Sequence, residues 1–222
     1  MAIRIRSSFH SRGKPRSAAT LASVIAMLAW KLAIDSIKRM REAKFDIDIG
    51  RAYFDFVCEY LAFLAHVADR IAYRDLDAAR RAEFTRALAL RLAEVVEDNA
   101  DMLISDTPPG SCRQHFLDLF NQAGADYAGF DYGDQGPAPQ LGGGPTPQLG
   151  GGPAFGFRRC FASRIREVVP EKDQTWVYDQ VMEIEVPEGV KALEKTLAGL
   201  FSTAVDDDAG PRRKVRPTLS GD

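Results

Sequence analysis

The sequence predicts an all-α protein: an antiparallel bundle of three long helices and a shorter one, a Gly/Pro-rich linker, and a small C-terminal helical segment. Two observations predict this class. Apolar residues recur every three or four positions over long stretches, which is the helical period. Glycine and proline, which break helices, are concentrated in residues 133–153, which hold eight of the 18 Gly and five of the 12 Pro. The rest of the 222 residues is compatible with long helices and suffices for a real core.

The first two predicted helices are the most strongly patterned. The first runs from about Ser17 to Lys44, and its apolar residues are spaced to cover a face wide enough for two neighbours. The second runs from about Arg51 to Tyr73 and has five aromatic residues among its first thirteen. Because aromatic side chains bury the most apolar surface, we expect the second helix at the centre of the core.

Two further helices complete the predicted bundle. The third extends from about Leu76 to Leu103 and is stopped by the Pro-Pro-Gly at 108–110. The fourth spans about Cys112 to Gln122. Ser111 and Gln114 have the spacing of a capping box, in which each side chain satisfies a free amide at the start of a helix.

The Gly/Pro-rich tract contains an internal repeat. Residues 137–144 read PAPQLGGG and residues 145–152 read PTPQLGGG. Alternating prolines stiffen a chain and glycine triplets loosen it, so we interpret the tract as a spacer. A role as ligand for a proline-recognising groove stays open.

Beyond the linker we expect a small helical segment that packs on the bundle or on a partner. The apolar spacing of residues 157–168 predicts an amphipathic helix. Residues 173–185 fit neither the helical nor the strand period cleanly, so a strand is one alternative for this segment. Pro187 opens a last helix that ends near Val205. The predicted parts are a basic arm at 1–16, a helical bundle at 17–132, a linker at 133–156, the helical segment at 157–205 and a disordered polar tail at 206–222.

The charge is unevenly distributed. The chain has a net charge of −2, whereas residues 2–16 contain five basic residues and no acidic one. This balance argues against a protein that wraps nucleic acid, although the arm could contact phosphate, an anionic membrane surface or an acidic partner. The three cysteines have no metal-site or disulfide spacing, which favours a reducing, cytoplasmic location.

The apolar stretch at 18–34 has two interpretations. It is short for a spanning helix and contains Lys31, so we predict a buried helix of a soluble bundle. A membrane-associated or anchored amino terminus remains the alternative.

No motif specific to an enzyme or a cofactor is present. The sequence lacks the glycine-rich phosphate loops, the G-x-S-x-G elbow and the H-E-x-x-H metal pair. We therefore expect no bound cofactor.

The second helix carries a polar stripe that could hold a metal ion. Asp55, Glu59, His66 and Asp69 follow one line of the helix, and aligned carboxylates and imidazoles are the groups that bind metals in bundles. The ordinary polar face of an amphipathic helix has the same spacing.

A second candidate is a thiol near an imidazole. Cys112 stands at the start of the fourth helix with His115 three positions later, and such a thiol could be a nucleophile. No acidic residue that would orient the imidazole is identifiable, so a structural cysteine is the alternative.

The sequence as a whole favours a non-enzymatic helical interaction protein, an adaptor or assembly factor that binds an unidentified protein partner. The first alternative is a metal-binding or cysteine-dependent helical-bundle enzyme. The second is a peripheral membrane protein that uses the basic arm and the first helix. Neither the partner nor the oligomeric state follows from the sequence.

Overall fold

The computed structural model describes residues 17–48, 50–104, 107–130 and 153–208. Within these ranges the regular structure is helical, which confirms the all-α prediction. The basic arm, the linker repeat at 137–152 and the tail beyond residue 208 lie outside the described residues.

Eight α-helices are present in the described ranges, and one turn of 3₁₀-helix and one of π-helix join the last three. The predicted third helix is interrupted at Asn99, and the predicted fourth helix is longer than expected, ending at Tyr127. The bounds are α1 Ala18–Glu42, α2 Arg51–Asp75, α3 Ala78–Asp98, α4 Ala100–Leu103, α5 Ser111–Tyr127, α6 Phe155–Val168, the 3₁₀ turn Glu171–Asp173, α7 Gln174–Gln180, the π segment Val181–Glu185 and α8 Val186–Asp208.

Helix α2 lies at the centre of the core, as its aromatic content predicts. It contacts α1, α3, α5, α6 and α8, and its middle section from Phe56 to Ala65 is buried. Phe63 of α2 stacks on Phe161 of α6 with ring centroids 4.1 Å apart. Because α6 follows the linker, this stacking places the C-terminal segment against the N-terminal helices.

The start of α5 corrects one prediction. Ser111 and Gln114 do not form a capping box: Gly110 caps the helix, Ser111 donates to the carbonyl of Pro108, and Gln114 donates to Asp118. The free amides of Gly110 and Arg113 donate instead to the carboxylate of Glu97 on α3. A residue of a neighbouring helix therefore supplies the cap that the local sequence was expected to supply.

The segment around Pro187 corrects one more prediction and decides one alternative that the sequence left open. Residues 173–185 form no strand, and Pro187 does not open a new helix, because the chain is continuously helical from Gln174 through the π segment to Asp208. A proline inside a helix lacks an amide and its ring clashes with the carbonyl four residues earlier. The π segment directly precedes Pro187, and there the amide of Val186 bonds to Val181, five residues back. A wider turn is a way to accommodate the proline without ending the helix.

Candidate functional site

A polar cleft opens between α2, α5 and α6. Its volume is 310 Å³, at the lower end of the range for small-molecule sites. The cleft brings together three of the six side chains that the sequence singled out, two from the polar stripe and one from the thiol–imidazole pair, and adds two arginines. Its charged and ionisable walls are Arg51, Asp55, Glu59, His115, Asp118 and Arg164.

Asp55 faces the imidazole of His115 in this cleft. Its Oδ1 lies 3.6 Å from Nε2 of His115, and its Oδ2 accepts a hydrogen bond of 2.7 Å from Arg51. Burial by itself raises the pKa of Asp55, but His115 and Arg51 outweigh that effect and lower the pKa below its ordinary value. The pair could transfer a proton, yet the residues that line the cleft include no serine, threonine, cysteine or tyrosine to act as nucleophile.

Glu59 is committed to an ion pair with Arg164 of α6. Both carboxylate oxygens accept hydrogen bonds, from Nε at 2.7 Å and from Nη2 at 2.9 Å, and the remaining nitrogen of the guanidinium donates to Asp126. Burial raises the pKa of Glu59, and Arg164 opposes this effect. All three nitrogens of the arginine therefore donate to carboxylates of the protein itself.

The other two residues of the stripe serve separate contacts. The ring of His66 stacks on Phe120 of α5, and its Nε2 donates to the carbonyl of the same residue at 3.0 Å. Asp69 accepts from Arg81 at 2.9 Å and from Thr85, both on α3. The predicted stripe thus ties α2 to three neighbouring helices. No three His, Cys, Asp or Glu side chains of the described residues are grouped so that they could hold a metal ion.

The structure buries Cys112, and this burial disfavours the role of nucleophile that the sequence suggested for its thiol. The side chain is only 3% exposed, and its thiol donates to the hydroxyl of Thr107 at 3.6 Å. His115 faces Asp55 instead. The sequence placed Asp55 in the polar stripe of α2 but did not identify it as the acidic neighbour of this imidazole. A buried thiol with a hydroxyl partner is not placed to attack a substrate.

A second feature is an exposed ridge on the outer side of the helix that contains the π segment. Trp176 is 68% exposed and Ile184, two turns further on, is 40% exposed. Three exposed carboxylates flank them, and among the described residues none of the three forms an ion pair: Asp179, Glu183 and Glu188. We call Trp176, Asp179, Glu183, Ile184 and Glu188 the Trp176 ridge. In the sequence the only sign of this ridge was Trp176, an aromatic residue that fitted neither the helical nor the strand period.

The opposite side of the same helix is firmly anchored. Glu185 is fully buried and its carboxylate accepts from Arg39 of α1 and from Gln180. The hydroxyl of Tyr60 on α2 donates to the backbone carbonyl of Glu185 at 2.8 Å. Burial raises the pKa of Tyr60, so this hydroxyl keeps its proton. The ridge is thus carried by a helix that is bonded to both α1 and α2.

Helix α1 is the third feature. By length and composition it could cross a membrane, with a mean hydropathy of 1.5 over its most apolar 18 residues. Half of these 18 residues are buried inside the protein, and Ile25 and Trp30 are among them. On its outer face Met27 is 43% exposed.

Comparison of the chain with protein-family models, with curated proteins and with solved structures finds no match. The indications of function are therefore the geometry of the cleft, of the Trp176 ridge and of α1.

Proposed function

We propose that this protein is a non-enzymatic helical interaction protein that binds a protein partner through the Trp176 ridge. The observation that carries this proposal is the 68% exposure of Trp176. Tryptophan is enriched at interfaces and among the residues that contribute most of the binding energy, because its large ring buries much surface and loses little conformational entropy.

The support beneath the ridge strengthens the argument. Val177 and Val181 of the same helix are fully buried. Together with the hydrogen bonds that Arg39 and Tyr60 donate to Glu185, they hold the backbone of the ridge in place in the unbound protein. A preorganised surface loses less entropy on binding than a flexible one, which favours affinity.

The polar cleft supports the enzyme alternative less well. Its arginines bond to carboxylates of the protein, and its His115–Asp55 pair lacks a neighbouring nucleophile. The ridge, in contrast, presents two exposed apolar side chains interspersed with carboxylates, and apolar anchors together with polar groups are typical of protein interfaces.

Site-specific cross-linking followed by a binding measurement tests the proposal. A photoreactive amino acid at position 176 is expected to capture a partner from extracts of the native host, and the same amino acid at position 73 is the matched control. Tyr73 is also 68% exposed, but it lies at the end of α2. With the purified partner, Trp176→Ala should weaken binding by about 30-fold, which corresponds to a hot spot of about 2 kcal/mol. Tyr73→Ala should leave affinity unchanged. Equal affinities of the two variants would contradict the proposal.

The apolar α1 favours a second candidate, association with a membrane surface. Its buried half belongs to the core, so a spanning mode would expose Ile25 and Trp30 of the bundle's interior to lipid. An interfacial mode keeps the bundle intact, with Met27 at the surface and the basic arm close to anionic headgroups. Sedimentation with vesicles tests it: binding to anionic vesicles that disappears in high salt and with Met27→Glu supports it. Equal recovery with anionic and zwitterionic vesicles counts against it.

A further inference from the structure

The chemistry of the Trp176 ridge defines what can bind there. Its two exposed apolar side chains favour an apolar counterpart in a partner, and its three exposed carboxylates, of which Glu188 also interacts electrostatically with Arg39, favour basic groups there. A basic segment with interspersed aliphatic or aromatic residues meets both needs, because complementary charge selects the partner while apolar contact supplies affinity.

The chain itself contains such a segment. Residues 2–16 carry five basic side chains and no acidic one, and three large apolar residues stand among them: Ile3, Ile5 and Phe9. The tail at 206–222 is a poorer match, because its four basic residues are balanced by four acidic ones. The N-terminal arm is therefore the segment of this protein that complements the ridge.

The position of the ridge favours the arm of a second copy over the chain's own. Arg39, near the C-terminal end of α1, bonds to Glu185 beneath the ridge, whereas the arm is joined to Ser17 at the other end of α1. These two ends of the helix are about 33 Å apart, given the rise per residue of an α-helix. An arm of 16 residues could span this distance only if most of it were extended along the bundle. A second copy meets no such constraint.

Building on the proposed interaction function, we propose that the protein associates with itself head to tail, with residues 2–16 of one copy bound to the Trp176 ridge of the next. Such a contact uses two different surfaces. Each bound pair therefore keeps one free arm and one free ridge, and further copies can add to both ends.

Sedimentation velocity of the purified full-length protein at rising concentration tests the proposal. The wild type should shift from monomer to dimers and larger species in 50 mM salt, and 500 mM salt should weaken the association, because salt screens the attraction between the basic arm and the carboxylates of the ridge. The ridge variant Trp176→Ala and the arm variant Arg4→Gln/Arg6→Gln should each associate at least tenfold more weakly. Tyr73→Ala, with an equally exposed aromatic residue elsewhere, should behave as the wild type.

Mixing the two defective variants separates a head-to-tail contact from a symmetric one. The Trp176→Ala protein retains its arm and the Arg4→Gln/Arg6→Gln protein retains its ridge, so an equimolar mixture should form one-to-one dimers that do not grow further. If the arm variant associates by itself as strongly as the wild type, the contact is ridge to ridge and the proposal is wrong. It is also wrong if the wild type stays monomeric at every concentration. Both results concern self-association only. The binding of a different partner is measured independently by the cross-linking at position 176.

Discussion

Arg164 and Glu59 form an ion pair with two hydrogen bonds, of 2.7 and 2.9 Å, across the interface of α6 and α2. The two residues are 105 positions apart, on either side of the linker. Glu59 is 7% exposed, so its charge depends on this one guanidinium for compensation. The pair is therefore a polar tie between the N-terminal helices and the C-terminal segment.

Removing the arginine should leave a buried carboxylate without its partner. We expect Arg164→Met to lower the free energy of unfolding by about 3 kcal/mol, measured by urea denaturation at pH 7. Arg159→Met, at an exposed position of the same helix, should change it by less than about 0.5 kcal/mol. The double variant Glu59→Met/Arg164→Met should regain most of the loss, since apolar pairs often replace buried ion pairs without cost. An unrecovered double variant would show that packing of the arginine, and not its charge, is what matters.

His66 should make stability depend on pH. Burial lowers its pKa below the ordinary value of about 6.5, so the folded protein keeps the ring neutral where the unfolded chain takes up a proton. The stabilisation is complete above pH 6.5 and is lost as the pH falls toward the folded pKa. Between pH 7 and pH 5 the free energy of unfolding should therefore drop more in the wild type than in His66→Gln, which cannot titrate at that position. Parallel pH profiles of the two proteins would exclude this role, since His10 and His115 are present in both.

The spacing of the polar stripe predicted that its four members share one side of α2, but not what they contact. Periodicity fixes the relation between residues of one helix, whereas the partner of Glu59 comes from α6 and that of His66 is a carbonyl of α5. Nothing in the local sequence distinguishes Arg164, which binds Glu59, from exposed Arg159 five positions earlier. The helices could thus be predicted from the sequence. The partners of the polar stripe could not, because the packing of helices that are distant in the sequence determines which side chains meet.

The start of α5 shows the same limit. The local sequence offers Ser111 and Gln114 as caps, while the folded protein uses Glu97, thirteen and sixteen residues before the amides it accepts from. A carboxylate bonded to helix-start amides is favoured by the charge of the helix dipole as well as by the bonds themselves. Tertiary packing that brings α3 beside this turn makes the stronger cap available.

Glu97→Ala should test that cap directly. We expect a loss of about 1 kcal/mol in the free energy of unfolding at pH 7, the usual value of a helix cap. The amides of Gly110 and Arg113 lower the pKa of Glu97, so its contribution is present above the ordinary value of about 4.3 and is lost as the pH falls through the lower folded pKa. The difference between wild type and variant should therefore close in acid. Glu83→Ala, at an exposed position of α3, should show no such difference at either pH.

Two glycines of α8 should respond in opposite directions to the same substitution. A Cβ at Gly189 would lie 2.9 Å from the hydroxyl of Tyr60 and 3.0 Å from Leu64, whereas a Cβ at Gly199 would meet nothing within 4 Å. Tyr60 cannot move away without breaking its hydrogen bond to Glu185, so Gly189→Ala should destabilise the protein by about 1–3 kcal/mol. Gly199→Ala should stabilise it by about 0.5–1 kcal/mol, because alanine costs less entropy in a helix. Thermal unfolding of both variants measures the contrast. A stabilised Gly189→Ala would mean that α8 does not approach α2 as closely as the bond from Tyr60 to Glu185 requires.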